Sequence, residues 1–307
     1  MNPVKNSIHL RVPAKINLSL DIVGRKENGY HLLEMVMQSI GLYDTLKLSL
    51  FPAEAYAVRV SCDRPGIPTD SRNIVCKAAA AFFGDALPNL TLAIDIHKEI
   101  PEQAGMAGGS ADAAGVLIGL NELYNRPYTL SQLCERGLTV GADVPYCIHG
   151  GTAFVSGIGE NIRPLRQLNE GYIVGARPKV GISTKAAYQS FDDAHPGVVS
   201  LPSSPKTAEM LAAVEAGDLS RVAKGLFNVF EDTCAVEEVE SLRQQLLDCG
   251  ALGAVMTGSG SAVYGIFAGA DAAGTIHPAA QNAYELLKKS QPDAFFAAIR
   301  GNVAQID

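Results

Sequence analysis

Apolar residues occupy every even position from Ile8 to Ile22, with mostly polar or charged residues between them. A period of two predicts a β-strand that buries one face and presents the other as polar. That polar face carries His9, Arg11, Lys15, Asn17, Ser19 and Asp21. Because Pro13 removes a donor from the sheet ladder, a bulge or an edge is expected there.

The same kind of pattern continues through the first half of the chain. The Asn28-Gly29 turn and the alternation at Leu46, Leu48 and Leu50 predict a second strand and an antiparallel sheet. Further alternation predicts strands over 56–62 and 90–96, and apolar runs predict helices over about 72–83, 110–124 and 131–140. Asp70 or Ser71 is the expected cap of the first helix. Gly141, in a left-handed conformation, is the expected end of the third, and "GADVPYCIHGG" is expected to be a loop.

The pattern restarts near "IRPLRQLNEGY", which marks a candidate domain boundary. Residues 1–165 and 166–307 are the two predicted domains. The second begins with a strand at 172–176, continues with several helices, and ends with the hairpin "ALGAVMTGSGSAVYGIF", a helix through "AYELLKK" and a strand at "AFFAAI". This order predicts an α+β fold with helices on one face of an antiparallel sheet.

Composition and charge narrow the class of protein. The 307 residues are 47% hydrophobic and 19% charged, which is typical of a globular chain. The net charge of -7 argues against broad binding to nucleic acid or anionic lipid. The six cysteines form no C-x-x-C pair, so buried, reduced thiols are expected instead of a zinc or redox motif. Without a signal-peptide pattern or a spanning segment, the chain is expected to be soluble and cytoplasmic.

The stretch "IPEQAGMAGGSADAAG", residues 100–115, places glycines between a predicted strand and a predicted helix. Such a loop presents free N–H groups and the positive end of a helix dipole to an anion, typically phosphate. Two other interpretations stay open at this point. The glycines could serve only close helix packing, and Gly108-Gly109-Ser110-Ala111-Asp112 nearly matches the nucleophile elbow of α/β-hydrolases, although Asp112 stands where that turn needs glycine.

Other polar residues are ambiguous when taken alone. Lys15 and Asn17 point the same way from one strand, toward a ligand or, more commonly, toward solvent. Asp143 lies between a helix end and Pro145, where a carboxylate more often caps backbone than acts as a base. Tyr30 and His31 follow the Asn-Gly turn and could stack on and hydrogen-bond to a planar ring.

Together, in this order, these features resemble the GHMP kinase superfamily, named for galactokinase, homoserine kinase, mevalonate kinase and phosphomevalonate kinase. The similarity extends over most of the chain and is carried by "PAKINLSLDIVGRKENGYH", "QSIGLYDTL", "GADVPYCIHGGTAFVSGIGE" and "TGSGSAVYGIF". The family's phosphate loop is similar to P-x-x-x-G-L-G-x-S-[SA], which Pro101 to Ala111 follow in part. The resemblance is closest to the branch that phosphorylates a cytidylated sugar alcohol in isoprenoid precursor synthesis.

The resemblance implies a two-domain α+β fold with its active site in the cleft between the domains. The N-terminal domain would resemble ribosomal protein S5 domain 2, and the C-terminal domain would be ferredoxin-like. Lys15 and Asp143 would be catalytic. ATP would contact Asn73, Lys98, Pro101, Glu102, Gln103, Ala104, Gly105, Met106, Ala107, Gly108, Gly109, Ser110 and Ala111. The alcohol substrate would contact Asn17, Tyr30, His31, Asp143, Thr184 and Tyr188.

ATP would be the co-substrate, accompanied by Mg²⁺ with no ligand residues assigned, and the partners would be small molecules bound by a monomer or homodimer. Another GHMP kinase, of homoserine or mevalonate type, and a non-catalytic nucleotide sensor on the same fold stay open as alternatives. The chain departs from the family loop at Gln103 and Ala107, where glycine is common, and at Ala111, where a second serine is frequent. A positive φ at Gln103 or Ala107 would be strained.

Overall fold

The structure contains two β-sheets, and the strands of the larger sheet come mostly from the first half of the chain. The computed structural model describes residues 3–197, 199–269, 277–301 and 304–306. Its strands are β1 (Ser7–Arg25), β2 (His31–Pro52), β3 (Ala57–Cys62), β4 (Leu90–His97), β5 (Thr152–Gly157), β6 (Asn161–Pro164), β7 (Tyr172–Ala176), β8 (Phe227–Asn228), β9 (Gly253–Met256), β10 (Val263–Phe267), β11 (Phe295–Ala298) and β12 (Gln305–Ile306). Its helices are α1 (Ile74–Phe83), α2 (Gly108–Leu123), α3 (Leu130–Val140), α4 (Val144–His149), α5 (Thr184–Ala194), α6 (Pro205–Ala216), α7 (Leu219–Lys224), α8 (Val229–Thr233), α9 (Glu237–Asp248) and α10 (Pro278–Lys288).

The long hairpin of β1 and β2 organises the larger sheet. Its main path runs β12-β1-β2-β4-β3, with β5 attached to β2, β6 to β5, and β8 to β1. The register between β1 and β2 shifts between Pro13 and Lys15, which confirms the predicted bulge. The two apolar segments after the Asn-Gly turn belong to one continuous strand, β2, which pairs first with β5 and then with β4.

Helix α2 lies against the larger sheet and is buried along most of its length. It packs at close range because a Cβ at Gly115 would lie only 2.7 Å from Val12 Cγ1. The packing interpretation of the glycines therefore holds for this position inside the helix, and the glycines of the preceding loop need a separate account.

The smaller sheet is antiparallel, with strand order β11-β7-β10-β9. Helices α9 and α10 pack on it, and the α+β class is confirmed. The last strand of the first half ends at Pro164 and β7 begins at Tyr172. However, β8 and β12 pair with β1 of the larger sheet, so the boundary between residues 165 and 166 stays a prediction.

The middle of β1 is buried on both faces, so the solvated interpretation of its polar side chains is wrong. Lys15 is 4% exposed, Asn17 is 1% exposed and Ser19 is fully buried. The contacts come from far along the chain: Gly258 N donates to Asn17 Oδ1, and β8 pairs with the edge of β1 at Ser19 and Leu20. Sequence alternation could not reveal these contacts because they depend on residues more than 200 positions away.

Three local predictions are also wrong. Helix α1 is capped by Asn73, whose Oδ1 accepts from Val75 N, while Asp70 forms a turn with Arg72. Gly141 has φ of -178°, an ordinary extended conformation and not a left-handed one. The segment expected to be a loop contains helix α4, because proline is tolerated in the first turn of a helix.

Two further expectations, about the cysteines and about membrane-spanning helices, can be compared with the structure. All six cysteines are free thiols, as expected, but only Cys147 is buried and the other five are half-buried. Within the described residues, none of the helices combines the length and the apolar character that crossing a membrane requires.

Candidate active site

One large cleft brings together most of the residues that the sequence predicted to be functional. Its volume is about 1350 Å³, above the roughly 300–1,000 Å³ that suits one drug-sized ligand. Its lining includes Lys15, Tyr30, His31, Asn73, Lys98, Asp143, Thr184, Tyr188 and every residue from Pro101 to Ser110. Asn17 and Ala111 do not line it; both are buried behind its wall.

The phosphate loop, defined here as residues 98–107, connects β4 to α2. Ile100, Ala104 and Met106 are buried and anchor it to the core. Helix α2 starts at Gly108 without a side-chain cap among the described residues. The first N–H groups of the helix, at Gly108, Gly109 and Ser110, are therefore not used by a side-chain cap. These residues line the cleft, where their N–H groups can bind an anion.

Gly105 fixes where the loop lies relative to the second half of the chain. It has φ of 71°, and a Cβ there would lie 2.0 Å from the carbonyl oxygen of Thr257. Only glycine allows this approach. On the other side, Met106 O accepts a hydrogen bond from Lys15 N at 3.2 Å, so the loop is held between β1 and the turn after β9.

The two departures from the family's loop pattern are both in the left-handed region. Gln103 has φ of 51° and Ala107 has φ of 58°. A Cβ in this conformation costs about 1–2 kcal/mol. The strain foreseen from the sequence is therefore present, and it lies at residues that line the cleft.

Replacing Gln103 by Gly is expected to raise the free energy of unfolding by about 1 kcal/mol, because the exposed side chain leaves a left-handed residue. Urea denaturation measures the change. The matched control is Gln244→Gly, in which an exposed glutamine inside α9 is replaced. There the same substitution should lower the free energy of unfolding by about 1 kcal/mol. Equal signs for the two variants would show that the loop residue is not strained.

Asn17 holds Lys15 in position instead of lining the cleft. Lys15 Nζ donates to Asn17 Oδ1 at 2.7 Å. The same oxygen accepts from Gly258 N at 3.1 Å, and Asn17 N donates to Thr257 Oγ1 at 3.0 Å. Asn17 therefore connects the cleft lysine to the turn that also contacts Gly105.

Asp143 occupies the N-cap position of α4, but its side chain makes no capping hydrogen bond among the described residues. The interpretation of this aspartate as a backbone cap is therefore unsupported. It is half-buried and lines the cleft. Burial first, and then the charge of Asp143, raise the pKa of Tyr188 to about 12, so that phenol stays neutral.

Part of the cleft lining consists of aromatic and imidazole rings. His31 stacks on Tyr188 with ring centroids 4.6 Å apart, and Tyr30 stands 61% exposed at the rim. His31 Nε2 lies 2.7 Å from Asp192 Oδ1, which fixes the ring. Thr184 Oγ1 lies 2.9 Å from Ser259 Oγ. This arrangement suits a planar, hydrogen-bonding ring.

Two residues assigned to ATP have much of their polar surface in use. Asn73 caps α1 and donates from Nδ2 to Pro68 O at 2.7 Å. Lys98 Nζ is bound between the carboxylates of Asp44 and Asp112. Neither carboxylate was predicted to have a role, although an aspartate within the apolar run of α2 was a signal of a buried partner.

The loop also contacts the second half of the chain through charged side chains. Arg64 lies 3.5 Å from a carboxylate oxygen of Glu102 and 3.2 Å from one of Asp293. Arg177 in turn binds Asp293 at 2.9 Å. These pairs are partly exposed, so each contributes little alone, but together they connect the loop to β11's side of the smaller sheet.

A phosphate loop at a helix N-terminus, with a lysine and a carboxylate facing the same cleft, indicates an α+β phosphotransferase acting on small molecules. The sequence matches the family models "GHMP kinases N terminal domain" over residues 73–151 and "GHMP kinases C terminal" over residues 210–286. The 4-diphosphocytidyl-2-C-methyl-D-erythritol kinase of Clostridium botulinum is 37% identical over 290 residues, which cover 94% of this chain and 98% of that protein. The corresponding kinase of Clostridium novyi is 41% identical over 84% of this chain and 90% of that one. The chain belongs to the GHMP kinases and, within them, to the family of 4-diphosphocytidyl-2-C-methyl-D-erythritol kinases.

Solved structures agree. A crystal structure of 4-(cytidine 5'-diphospho)-2C-methyl-D-erythritol kinase superposes with a TM-score of 0.74 at 29% identity, covering 96% of this chain and all of that one. Homoserine kinase from Cytophaga hutchinsonii has a TM-score of 0.77 at 17% identity, covering all of this chain and 99% of that one. The second likeness shows the fold alone. The expected two-domain GHMP fold is thereby confirmed.

Proposed function

We propose that this protein transfers the γ-phosphoryl group of ATP to the 2-hydroxyl of 4-diphosphocytidyl-2-C-methyl-D-erythritol, giving the 2-phosphate and ADP. The observation that carries the proposal is that one cleft joins three features: the phosphate loop, the pair Lys15 and Asp143, and the rings at His31 and Tyr188. The relatives' names supply the substrate. The reaction is a step of the non-mevalonate isoprenoid precursor pathway, and we place it in the cytoplasm.

The triphosphate is assigned to the phosphate loop, with its oxygens at the first N–H groups of α2. Phosphoryl transfer needs positioning and charge neutralisation more than covalent help from the protein. Backbone N–H groups and a helix N-terminus supply both without reorganising during the reaction. We assign Asn73 to the nucleoside, whereas Lys98, whose Nζ is bound by Asp44 and Asp112, would act from beneath the loop next to the first residue of α2.

Lys15 and Asp143 are assigned to the reacting hydroxyl. Asp143 orients the alcohol and accepts its proton, since its carboxylate is not committed to capping. Carboxylates are weak bases compared with an alkoxide. Lys15 therefore assists by stabilising the alkoxide that forms, from a position fixed by Asn17.

The cytidine end is assigned to Tyr30, His31, Thr184 and Tyr188, with Asn17 acting behind the cleft wall. Stacking rings recognise a planar base, and the paired His31 offers a fixed hydrogen-bonding edge. The alcohol substrates homoserine and mevalonate contain no base that such rings could stack on. Ser110 lies inside α2 and not at a strand-to-helix turn, which argues against the hydrolase interpretation.

Mg²⁺ is assigned to the ATP complex and not to a resident site. Among the described residues there is no group of three or more His, Cys, Asp or Glu side chains arranged to hold a metal ion. The ion would therefore be held mainly by phosphate oxygens, where it neutralises charge on the nucleotide.

The test is ADP release measured with a panel of alcohols. We expect turnover with the cytidylated methylerythritol and a fall of at least about 100-fold in kcat/KM when the cytidine is removed, since lost binding energy at remote groups lowers catalysis. Homoserine and mevalonate should give background rates. Equal kcat/KM with and without the cytidine would refute the assignment of the rings, and ADP release with none of the alcohols would support the nucleotide sensor.

A further inference from the structure

Three charged side chains are buried together beneath the phosphate loop. Asp44 comes from β2, Lys98 from the start of the loop and Asp112 from the second turn of α2. Their side chains are 0%, 3% and 7% exposed. Lys98 Nζ binds Asp44 Oδ2 and, at 2.8 Å, Asp112 Oδ2. We call these three residues the buried charge cluster.

The buried charge cluster connects the two ends of the loop. Asp44 Oδ1 accepts from Glu99 N at 2.8 Å and from Ile100 N at 2.9 Å, at the start of the loop. Asp112 lies beyond its other end. A Cβ at Gly108 would lie 3.3 Å from Lys98 Nζ, so the cluster lies directly against the first residue of α2. Any change of charge here acts on the N–H groups assigned to phosphate.

The cluster contains two carboxyls and one ammonium, so its net charge depends on whether one carboxyl holds a proton. Asp112 Oδ1 is buried and has no hydrogen-bond partner among the described residues. Burial raises the pKa of Asp112 to about 8, with the charge of Asp44 adding to the rise and Lys98 opposing it. The cluster is neutral when one carboxyl holds a proton, which burial favours at Asp112, and it carries one negative charge when both carboxyls are ionised.

We propose that Asp112 is a positioning residue whose neutral form lets the phosphate loop accept the nucleotide, and that its ionisation weakens nucleotide binding in alkaline solution. The inference rests on the proposed function, since it assumes that the loop binds the phosphates of ATP. A buried charge is screened little by solvent, so it repels phosphate at the neighbouring N–H groups.

The thiols around α2 titrate above their ordinary range. The thiols of Cys62 on β3 and Cys147 on α4 respond to the charge of Asp112, and burial raises the pKa of both above the ordinary 9.0. The same is true of Cys76 on α1 and Cys134 on α3. On α4, Tyr146 donates its hydroxyl to Gly151 O, and His149 Nδ1 lies 2.9 Å from Gly150 O. The charged groups of α1 and α3 are Lys77 and Glu135, which are exposed, and Arg136, which lies over Tyr128. From β1, Lys15 is bound to Asn17.

The test compares wild type with Asp112→Asn, whose amide keeps the size and the acceptor for Lys98 but cannot ionise. The dissociation constant of ATP is measured by calorimetry between pH 7.5 and 9.5 with Mg²⁺ and without an alcohol. The terminal phosphate is already ionised in this range, because its second pKa is about 6. In wild type the dissociation constant should rise about tenfold, a usual size for coupling between two sites, and in Asp112→Asn it should stay flat.

The control is Asp85→Asn, which removes an exposed carboxylate in the turn after α1 and should keep the wild-type pH dependence. Parallel weakening in wild type and Asp112→Asn would overturn the inference, and so would a flat wild-type profile. Absence of ATP binding to wild type at pH 7.5 would instead overturn the proposed function, and the inference with it.

Thermal unfolding gives a second readout that does not depend on nucleotide. Unfolded aspartate ionises near pH 4, whereas Asp112 in the folded chain ionises near 8. Wild type should therefore lose stability relative to Asp112→Asn as the pH rises from about 4 to about 8. A melting-temperature difference that is constant over this range, or an Asn variant that does not fold, would contradict the burial of an ionising carboxyl.

Discussion

Asp143→Asn is expected to lower turnover about 10²- to 10⁴-fold, with the affinity for the cytidylated substrate largely kept. The amide has the size of the carboxylate but cannot take a proton from the alcohol. The side chain lines the cleft and, within the described residues, makes no capping hydrogen bond, so the substitution should leave α4 intact. The loss should therefore fall on kcat and not on folding.

Steady-state kinetics with ADP detection measures this effect, and the melting temperature reports on the fold. The control is Asp248→Asn at the end of α9, far along the chain from the cleft residues and hydrogen-bonded only to Gln244 among the described side chains. It should retain wild-type kinetics. Turnover within a few-fold of wild type for the Asp143 variant would remove this residue from the assigned role.

Gly105→Ala should disrupt the protein more than any other single methyl group in the phosphate loop. The added Cβ would lie 2.0 Å from Thr257 O, at a residue with φ of 71°. Overpacking typically costs about 1–3 kcal/mol, and the left-handed conformation adds about 1–2 kcal/mol. We expect the free energy of unfolding to fall by about 3 kcal/mol.

Activity should fall as well, because the displaced turn carries the partners of Asn17. Thr257 and Gly258 both bind Asn17, which in turn holds Lys15.

The control for the stability change is Gly109→Ala in the same stretch, where the nearest atom to the new Cβ is Ile74 Cγ2 at 3.7 Å. Urea denaturation of this control should give a change within about 0.5 kcal/mol. Equal stability of the two variants would mean that the loop does not pack against Thr257.

Local patterns in the sequence predicted most strands and helices, because period two and period 3.6 reflect burial near each residue. They failed where burial comes from distant parts of the chain. Alternation marked Lys15 and Asn17 as a polar face, but the turn at Thr257 and Gly258 contacts Asn17, whose side chain binds Lys15. Helix α4 was missed because six residues beginning with Val-Pro give no helical period to detect.

Most residues of the candidate site could also be predicted from the sequence. The roles of the loop, Lys15 and Asp143 follow from the resemblance to the GHMP kinases, and the structure brings all of them to one cleft. The buried carboxylates that bind Lys98 could not be predicted. Asp44 and Asp112 are 68 residues apart in sequence, and only the fold places both against Lys98.

The central claim is best tested by identifying the product with phosphorus-31 NMR. The protein is incubated with MgATP and 4-diphosphocytidyl-2-C-methyl-D-erythritol, in parallel with the same alcohol lacking cytidine. The account predicts ADP and a new phosphate monoester on the 2-hydroxyl, with the diphosphate of the substrate intact, in the first reaction only. No new monoester, or the same rate of formation in both reactions, would contradict it.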